Sequence, residues 1–125
     1  MRVARPTLVA LLNSNVLEIQ FARRHVKPGA PLTRRMLCTT CDNILLTENG
    51  FKTLNFQPAG EGVNYNRQQH NIVTAWDIMM QDWRSISADN VELVTQLPGD
   101  DTFWEYFNDN ILPMTAEQKF AFINS

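Results

Sequence analysis

The chain opens with an apolar repeat of helical period. We predict a short helix from Arg5 to Asn13. Its apolar face carries Leu8, Leu11 and Leu12, which are three and four residues apart. Pro6 suits the first helical turn, because the N–H that proline lacks would have no helical partner there. The pattern therefore predicts an amphipathic helix packed on whatever follows it.

From residue 15 the apolar positions alternate, which indicates half-buried strands. Strands are predicted near 15–24, 32–40, 51–56, 71–76, 82–87 and 91–97. Asn49 and Gly50 separate two apolar runs and predict a tight hairpin there. Residues 58–70 are polar and are expected to form a long loop. The predicted core comprises Leu17, Ile19, Phe21, Leu37, Val73, Trp76, Ile86 and Leu93.

The last quarter of the chain has helical signals. Asp100 and Asp101 can cap a helix over 101–108, where the helix dipole favours negative charge. Pro113 ends that helix. Thr115 followed by Gln118 is a capping-box pattern, which predicts a last helix over 115–123.

These elements predict one domain over 1–125, mainly β with helical additions. A small bent antiparallel sheet or barrel would span 14–97, preceded by the short N-terminal helix, and a helical tail would span 98–125. No apolar run approaches the length of a membrane span, and the first residues have no signal-peptide core. We therefore expect a cytoplasmic protein that does not enter a membrane.

Charge is distributed unevenly along the chain, although the net charge is only −2. Residues 1–35 hold seven basic residues and one acid, whereas residues 89–125 hold seven acids and one base. One interpretation is a basic face that attracts phosphates or acidic partners. The other is that the two ends lie side by side and neutralise each other.

Cys38 and Cys41 form the one C-x-x-C pair, and this pattern has three possible interpretations. A redox pair favours a helix N-terminus, whereas Cys38 lies late in a predicted strand. A zinc site needs two further ligands, and the two histidines, His25 and His70, lack the usual spacing. Two reduced thiols are the third interpretation. We expect no metal and no cofactor.

Phosphate-loop, dinucleotide and nucleophile-elbow motifs are also missing, so we expect no enzymatic activity.

Several short motifs resemble a known family. They are RMLCT at 35–39, VTAWD at 73–77, WRSI at 83–86 and DNV at 89–91. Over about residues 13 to 97 the chain resembles the small WYL-like family with an Sm-like, SH3-like β-barrel, common in tailed bacteriophages. This resemblance implies a phage-encoded barrel that binds a negatively charged ligand, such as a nucleotide or a nucleic-acid fragment. The segments 48–50, 58–70 and 100–125 depart from the family pattern.

Two observations select the candidate residues for anion binding: basic residues at a predicted turn, and the family resemblance. They are Arg23, Arg24, Lys27, Arg35, Trp83 and Arg84. Arginine grips phosphate through two parallel hydrogen bonds, and an aromatic ring can stack on a base. The alternative is that Trp83 is a core residue and that Arg84 pairs with Asp77 or Asp89.

The tail offers a second functional hypothesis. Its aromatic residues Phe103, Trp104, Tyr106 and Phe107 cannot share one helical face. If some are exposed, they form a protein–protein site for a host enzyme of transcription or defence, or for a second copy in a homodimer. If they are buried, the helix closes one end of the sheet.

Overall fold

A five-stranded antiparallel sheet organises the residues described by the computed structural model, which are 2–22, 27–58 and 71–124. The strands are β1 (Asn15–Ala22), β2 (Thr33–Thr39), β3 (Ile72–Asp77), β4 (Asp82–Ser87) and β5 (Val91–Pro98). Their order in the sheet is β4-β3-β2-β1-β5. A 3-10 turn (Ala88–Asn90) joins β4 to β5. Almost all of the predicted loop at 58–70 lies outside the described residues.

The helices of the described residues surround this sheet. They are α1 (Arg5–Ser14), α2 (Asp42–Leu45), α3 (Glu48–Lys52), α4 (Asp101–Tyr106) and α5 (Ala116–Ile123), with a π-helical turn (Phe107–Ile111) directly after α4. The mainly β fold with helical additions is therefore confirmed, as are five of the six predicted strands. No helix within the described ranges has the length and apolarity that crossing a membrane requires.

The sheet is open, so of the two predicted alternatives, sheet and barrel, the described residues form the sheet. β4 pairs with β3 and β5 pairs with β1, and the ladder does not continue from β4 to β5. β2 and β3 pair at two positions only, Cys38 with Asp77 and Thr39 with Trp76. This short contact leaves the sheet split between its two halves.

Each face of the sheet buries its own apolar cluster, because side chains alternate along every strand. Beneath α1, Leu8 and Leu12 pack on Leu17, Met36 and Ile86. The opposite face carries Leu37 and Trp76 and is covered by α2, the tail and the segment after α3. Six of the eight predicted core residues are buried, while Phe21 and Leu93 are half-buried.

The predicted hairpin at Asn49–Gly50 is wrong, because 42–52 forms the helices α2 and α3. The Thr47 hydroxyl accepts a hydrogen bond of 2.9 Å from the Gly50 amide and caps α3. Leu54 is fully buried beyond the helix, where its carbonyl accepts a 3.2 Å hydrogen bond from the Trp76 indole. Tertiary burial of this segment therefore outweighs its local hairpin signal.

Gly50 has a packing role in α3 that gives a testable result. A Cβ at this position would collide with the backbone carbonyl oxygens of Ile44 and Leu45. We expect Gly50→Ala to lower the free energy of unfolding by about 1–3 kcal/mol in urea denaturation. The neighbouring exposed Asn49→Ala is the control. A more stable Gly50→Ala variant, as for an ordinary helical glycine, would contradict this packing.

The tail confirms the predicted helices on either side of Pro113. The Asp100 carboxylate accepts a 2.8 Å hydrogen bond from the Thr102 amide, and Thr115 and Gln118 form the capping box. Phe103, Phe107 and Ile111 are buried in the cluster that contains Trp76 and Leu37. The tail therefore packs on its own sheet.

Candidate functional site

The turn between β3 and β4 is built around a buried carboxylate. Asp77 ends β3, and its side chain is 2% exposed. Its Oδ1 accepts hydrogen bonds from the backbone amides of Met79, at 3.1 Å, and Met80, at 3.0 Å. Gln81 completes the turn with φ at 55°. An aspartate that accepts from amides two and three residues later fixes such a turn locally.

Two arginines approach the other oxygen of the same carboxylate. Asp77 Oδ2 lies 3.6 Å from an Arg34 terminal nitrogen and 3.9 Å from Arg84 Nε. Both distances exceed an ordinary hydrogen bond. The Arg84 side chain is 37% exposed, but its Nε is buried without a hydrogen-bond partner among the described residues. We call Arg34, Asp77 and Arg84 the arginine cluster.

Strand alternation brings the arginine cluster together. Arg34 shares a face of β2 with Met36 and Cys38, and Cys38 pairs directly with Asp77. Arg84 pairs with Ala75, which lies on the same face as Asp77 two residues earlier. Three residues that are distant in sequence therefore share one face of the sheet, beside the apolar cluster under α1.

Burial and the neighbouring groups act in opposite directions on the Asp77 carboxyl. Burial raises the pKa of the Asp77 carboxyl above its ordinary value, although the Met80 amide, Arg34, Arg84 and the Met79 amide all act in the opposite direction. Two guanidinium groups are thus balanced by one carboxylate that burial disfavours. The Nε donor of Arg84 has no hydrogen-bond partner among the described residues.

The two cysteines are poor candidates for nucleophiles. Burial, helped by the charge of Asp77, raises the pKa of the Cys38 thiol far above its ordinary value. A thiol in this state is protonated and inert. Cys41 is also buried and free, in the apolar cluster on the opposite face. No group of three or more potential metal-binding side chains occurs in the part of the chain that the structure describes.

Arg35 is held by contacts that connect the tail to the sheet. Its guanidinium lies 3.5 Å from Glu18 Oε1 and 5.8 Å from the centre of the Phe122 ring. The other oxygen of Glu18 accepts a 2.9 Å hydrogen bond from Thr95. Arg35 therefore lies on the face opposite the arginine cluster, where it contacts Glu18 and Phe122 of its own chain.

Trp83 belongs to an aromatic cluster on that same opposite face. Its indole donates a 2.8 Å hydrogen bond to the Gln57 carbonyl, and its ring lies 5.7 Å from Phe56 and 5.6 Å from Trp76. The rings meet edge to face, as aromatic side chains prefer. Trp83 and Arg84 therefore point to opposite faces of β4 and do not act on one ligand together.

The remaining predicted site residues divide between exposed, buried and undescribed positions. Lys27 is exposed before β2, while Arg23 and Arg24 lie outside the described residues. Phe103 and Phe107 are buried, and Trp104 and Tyr106 are half-buried against the same cluster. Burial also raises the pKa of Tyr106, and the charge of Glu18 adds to this effect. The four aromatic residues thus contribute mainly to packing within the chain.

Sequence reasoning missed Arg34 and left Asp77 as one of two alternative partners of Arg84. The available signal was the alternation of β2, which places Arg34 on the face of Cys38. An aspartate at the end of one strand of a hairpin, with an arginine in the next strand, was the second signal.

The fold and this site define a small sheet-and-helix domain with a partly buried arginine cluster. Comparison with known protein families, curated proteins and solved structures finds no match.

Proposed function

We propose that this protein is a non-enzymatic binding module that holds an anionic, phosphate-bearing ligand of the nucleotide or nucleic-acid type at Arg84 and Arg34. The supporting observation is the convergence of two guanidinium groups on a single buried carboxylate oxygen, at 3.6 and 3.9 Å. Neither guanidinium is within hydrogen-bond distance of that oxygen.

The cluster has the properties that phosphate binding requires. Arginine presents several N–H donors in a planar fork, which matches the oxygens of phosphate. Arg34 and Arg84 are 21% and 37% exposed, so a ligand can reach them from solvent. The charge of Asp77, at 3.6 and 3.9 Å, favours the convergence of the two side chains before a ligand binds, which lowers the entropy lost on binding.

The basic segment of the sequence between β1 and β2 extends this proposal to nucleic acid. Lys27 is exposed there, and Arg23 and Arg24 precede it in sequence. With the resemblance to the WYL-like family, these residues support a phage-encoded module that acts in the host cytoplasm. The low isoelectric point, about 5.6, argues for a discrete site rather than non-specific duplex binding.

Replacing Arg84 is the direct test. We expect Arg84→Gln to weaken binding of ATP, AMP or a short single-stranded DNA by roughly tenfold or more at low salt, because a hydrogen bond to a charged group contributes about 1.5–3 kcal/mol. Lys52→Gln is the matched control, since it removes one positive charge from an exposed residue that pairs with Glu48, at 2.6 Å. Isothermal titration calorimetry measures both, after circular dichroism has established that each variant folds.

Comparing DNA with AMP distinguishes the contribution of Arg23 and Arg24 from that of the arginine cluster. Arg23→Glu with Arg24→Glu should weaken DNA binding several-fold and flatten its salt dependence, because each phosphate contact adds about one unit of slope. The same double variant should leave AMP binding unchanged. No binding of mononucleotides, DNA or RNA to the wild type at low salt would refute the proposed function.

A further inference from the structure

A π-helical turn interrupts the tail at Phe107–Ile111. The Leu112 amide donates to the Phe107 carbonyl five residues earlier, at 2.9 Å. Phe107 and Ile111 stay buried, so the residues between them, Asn108, Asp109 and Asn110, are all exposed on the wider turn. Turns of this kind are rare and are frequently found at functional sites.

A cleft of about 380 Å³ lies between this turn and α5. It is lined by Asp109, Asn110, Pro113, Met114 and Gln118. Two of these residues are apolar and two are amides. Asp109 supplies the one carboxylate of the lining, at the exposed side of the turn.

The side-chain amides of the cleft already form hydrogen bonds within the chain, which limits the groups that remain for a ligand. The Asn110 side-chain nitrogen donates to the Tyr106 carbonyl at 3.1 Å, so its oxygen remains available as an acceptor. The Gln118 side-chain oxygen accepts from the Thr115 amide at 2.9 Å. The cleft therefore offers the Asp109 carboxylate and the Asn110 oxygen as acceptors, above the apolar surface of Pro113 and Met114.

We propose that this cleft receives a lysine or arginine side chain from a basic segment of a partner protein. The aliphatic stem of such a side chain packs on Met114 and Pro113, and its charged head donates to Asp109 and Asn110. The surface does not involve the arginine cluster, so this inference is independent of the proposed anion binding.

Charge complementarity identifies the occupant as basic. Asp101 and Glu105 precede Asp109 at four-residue intervals, and all three are exposed. None of them takes part in an ion pair with another described residue. Leu112 and Phe120 of the same tail are also exposed, at 61% and 70%.

A fluorescent peptide of alternating arginine and leucine is the probe, with a matched peptide that carries citrulline in place of arginine. We expect the arginine peptide to bind at low salt and to shift the amide resonances of 109–118. Citrulline, or Asp109→Asn in the protein, should weaken binding at least tenfold. Glu105→Gln is the matched control, because it removes the same charge one turn away from the cleft, and its effect should stay below about threefold.

Three outcomes would overturn this inference. The first is no binding of the arginine peptide. The second is an equal loss from Asp109→Asn and Glu105→Gln, which would indicate unspecific attraction to acidic surface. The third is a dimer in light scattering that Phe120→Ala dissociates, since the tail face would then be covered by a second copy. AMP binding by Asp109→Asn reports separately on the arginine cluster and should equal that of the wild type.

Discussion

Phe103→Ala is expected to lower the free energy of unfolding by about 3–5 kcal/mol, the loss typical of a buried phenylalanine. Phe103 has no exposed surface, and its ring lies 5.0 Å from Trp104 and 5.8 Å from Phe107. It belongs to the same apolar cluster as Trp76 and Leu37 of the sheet. The alanine variant would leave a cavity where the tail meets the sheet.

Urea denaturation followed by tryptophan fluorescence measures this loss. Phe120→Ala is the matched control on the same tail, because Phe120 is 70% exposed, and its effect should stay within about 0.5 kcal/mol. Deleting 100–125 should also unfold or aggregate the protein, since the sheet would lose its cover. A Phe103→Ala variant as stable as Phe120→Ala would mean that the tail is not part of the core.

Asp77→Ala is expected to destabilise the protein by about 2–4 kcal/mol, because donors that this carboxylate satisfies would lose their acceptor. Two backbone amides, of Met79 and Met80, would lose the acceptor that fixes the turn, and an unsatisfied buried donor costs about 1–3 kcal/mol. Asp77→Asn keeps an oxygen at the same place. We therefore expect the asparagine variant to retain most of this stability at neutral pH. Equal losses in the two variants would assign the stability to charge instead of the turn.

The raised pKa of Asp77 predicts a pH dependence whose sign is opposite to that of an ordinary ion-paired aspartate. The folded protein holds the Asp77 proton more tightly than the unfolded chain does. This group's contribution to stability is therefore complete below the unfolded pKa and falls as pH rises through the folded pKa. Asp77→Asn cannot titrate, so subtracting its pH–stability curve from that of the wild type isolates the effect. A contribution that rises over this range would contradict the burial argument.

The strands and the N-terminal helix could be predicted because local pattern and tertiary burial agree there. In β2, alternate residues face different apolar clusters, Met36 and Cys38 towards α1 and Leu37 towards the tail. The capping residues Asp100 and Thr115 also act locally, through amides two and three residues away. Such contacts depend little on the rest of the chain.

The segment 42–56 could not be predicted, because local and long-range preferences disagree. Asn49–Gly50 is a strong hairpin signal in isolation, but a hairpin would not provide the Thr47 cap or the close contact of Gly50 with α2. The burial of Leu54 and Phe56 against Trp76 depends on β3, which begins only at Ile72. That information is not contained in the local pattern.

The candidate sites illustrate the same division. Basic residue types and turn positions indicated anion binding, and the family resemblance added Arg35 and Trp83 to the candidate ligand contacts. Register places Arg35 beside Glu18 and Trp83 among aromatic rings, and it brings Arg34 to Asp77 and Arg84 instead. The exposed surface of the tail likewise follows from packing, because the sheet takes the aromatic face and leaves the acids outside.

The sequence by itself determined the class of fold, the positions of five strands and the helical ends, since these depend on period, capping and turn chemistry within a few residues. Only the tertiary structure decided that the sheet stays open, that 42–52 is helical, and which charges meet. Closure of a sheet and pairing of charges both depend on the register between strands that are far apart in the sequence. No local period encodes that register, and burial decides among the alternatives that local preferences leave open.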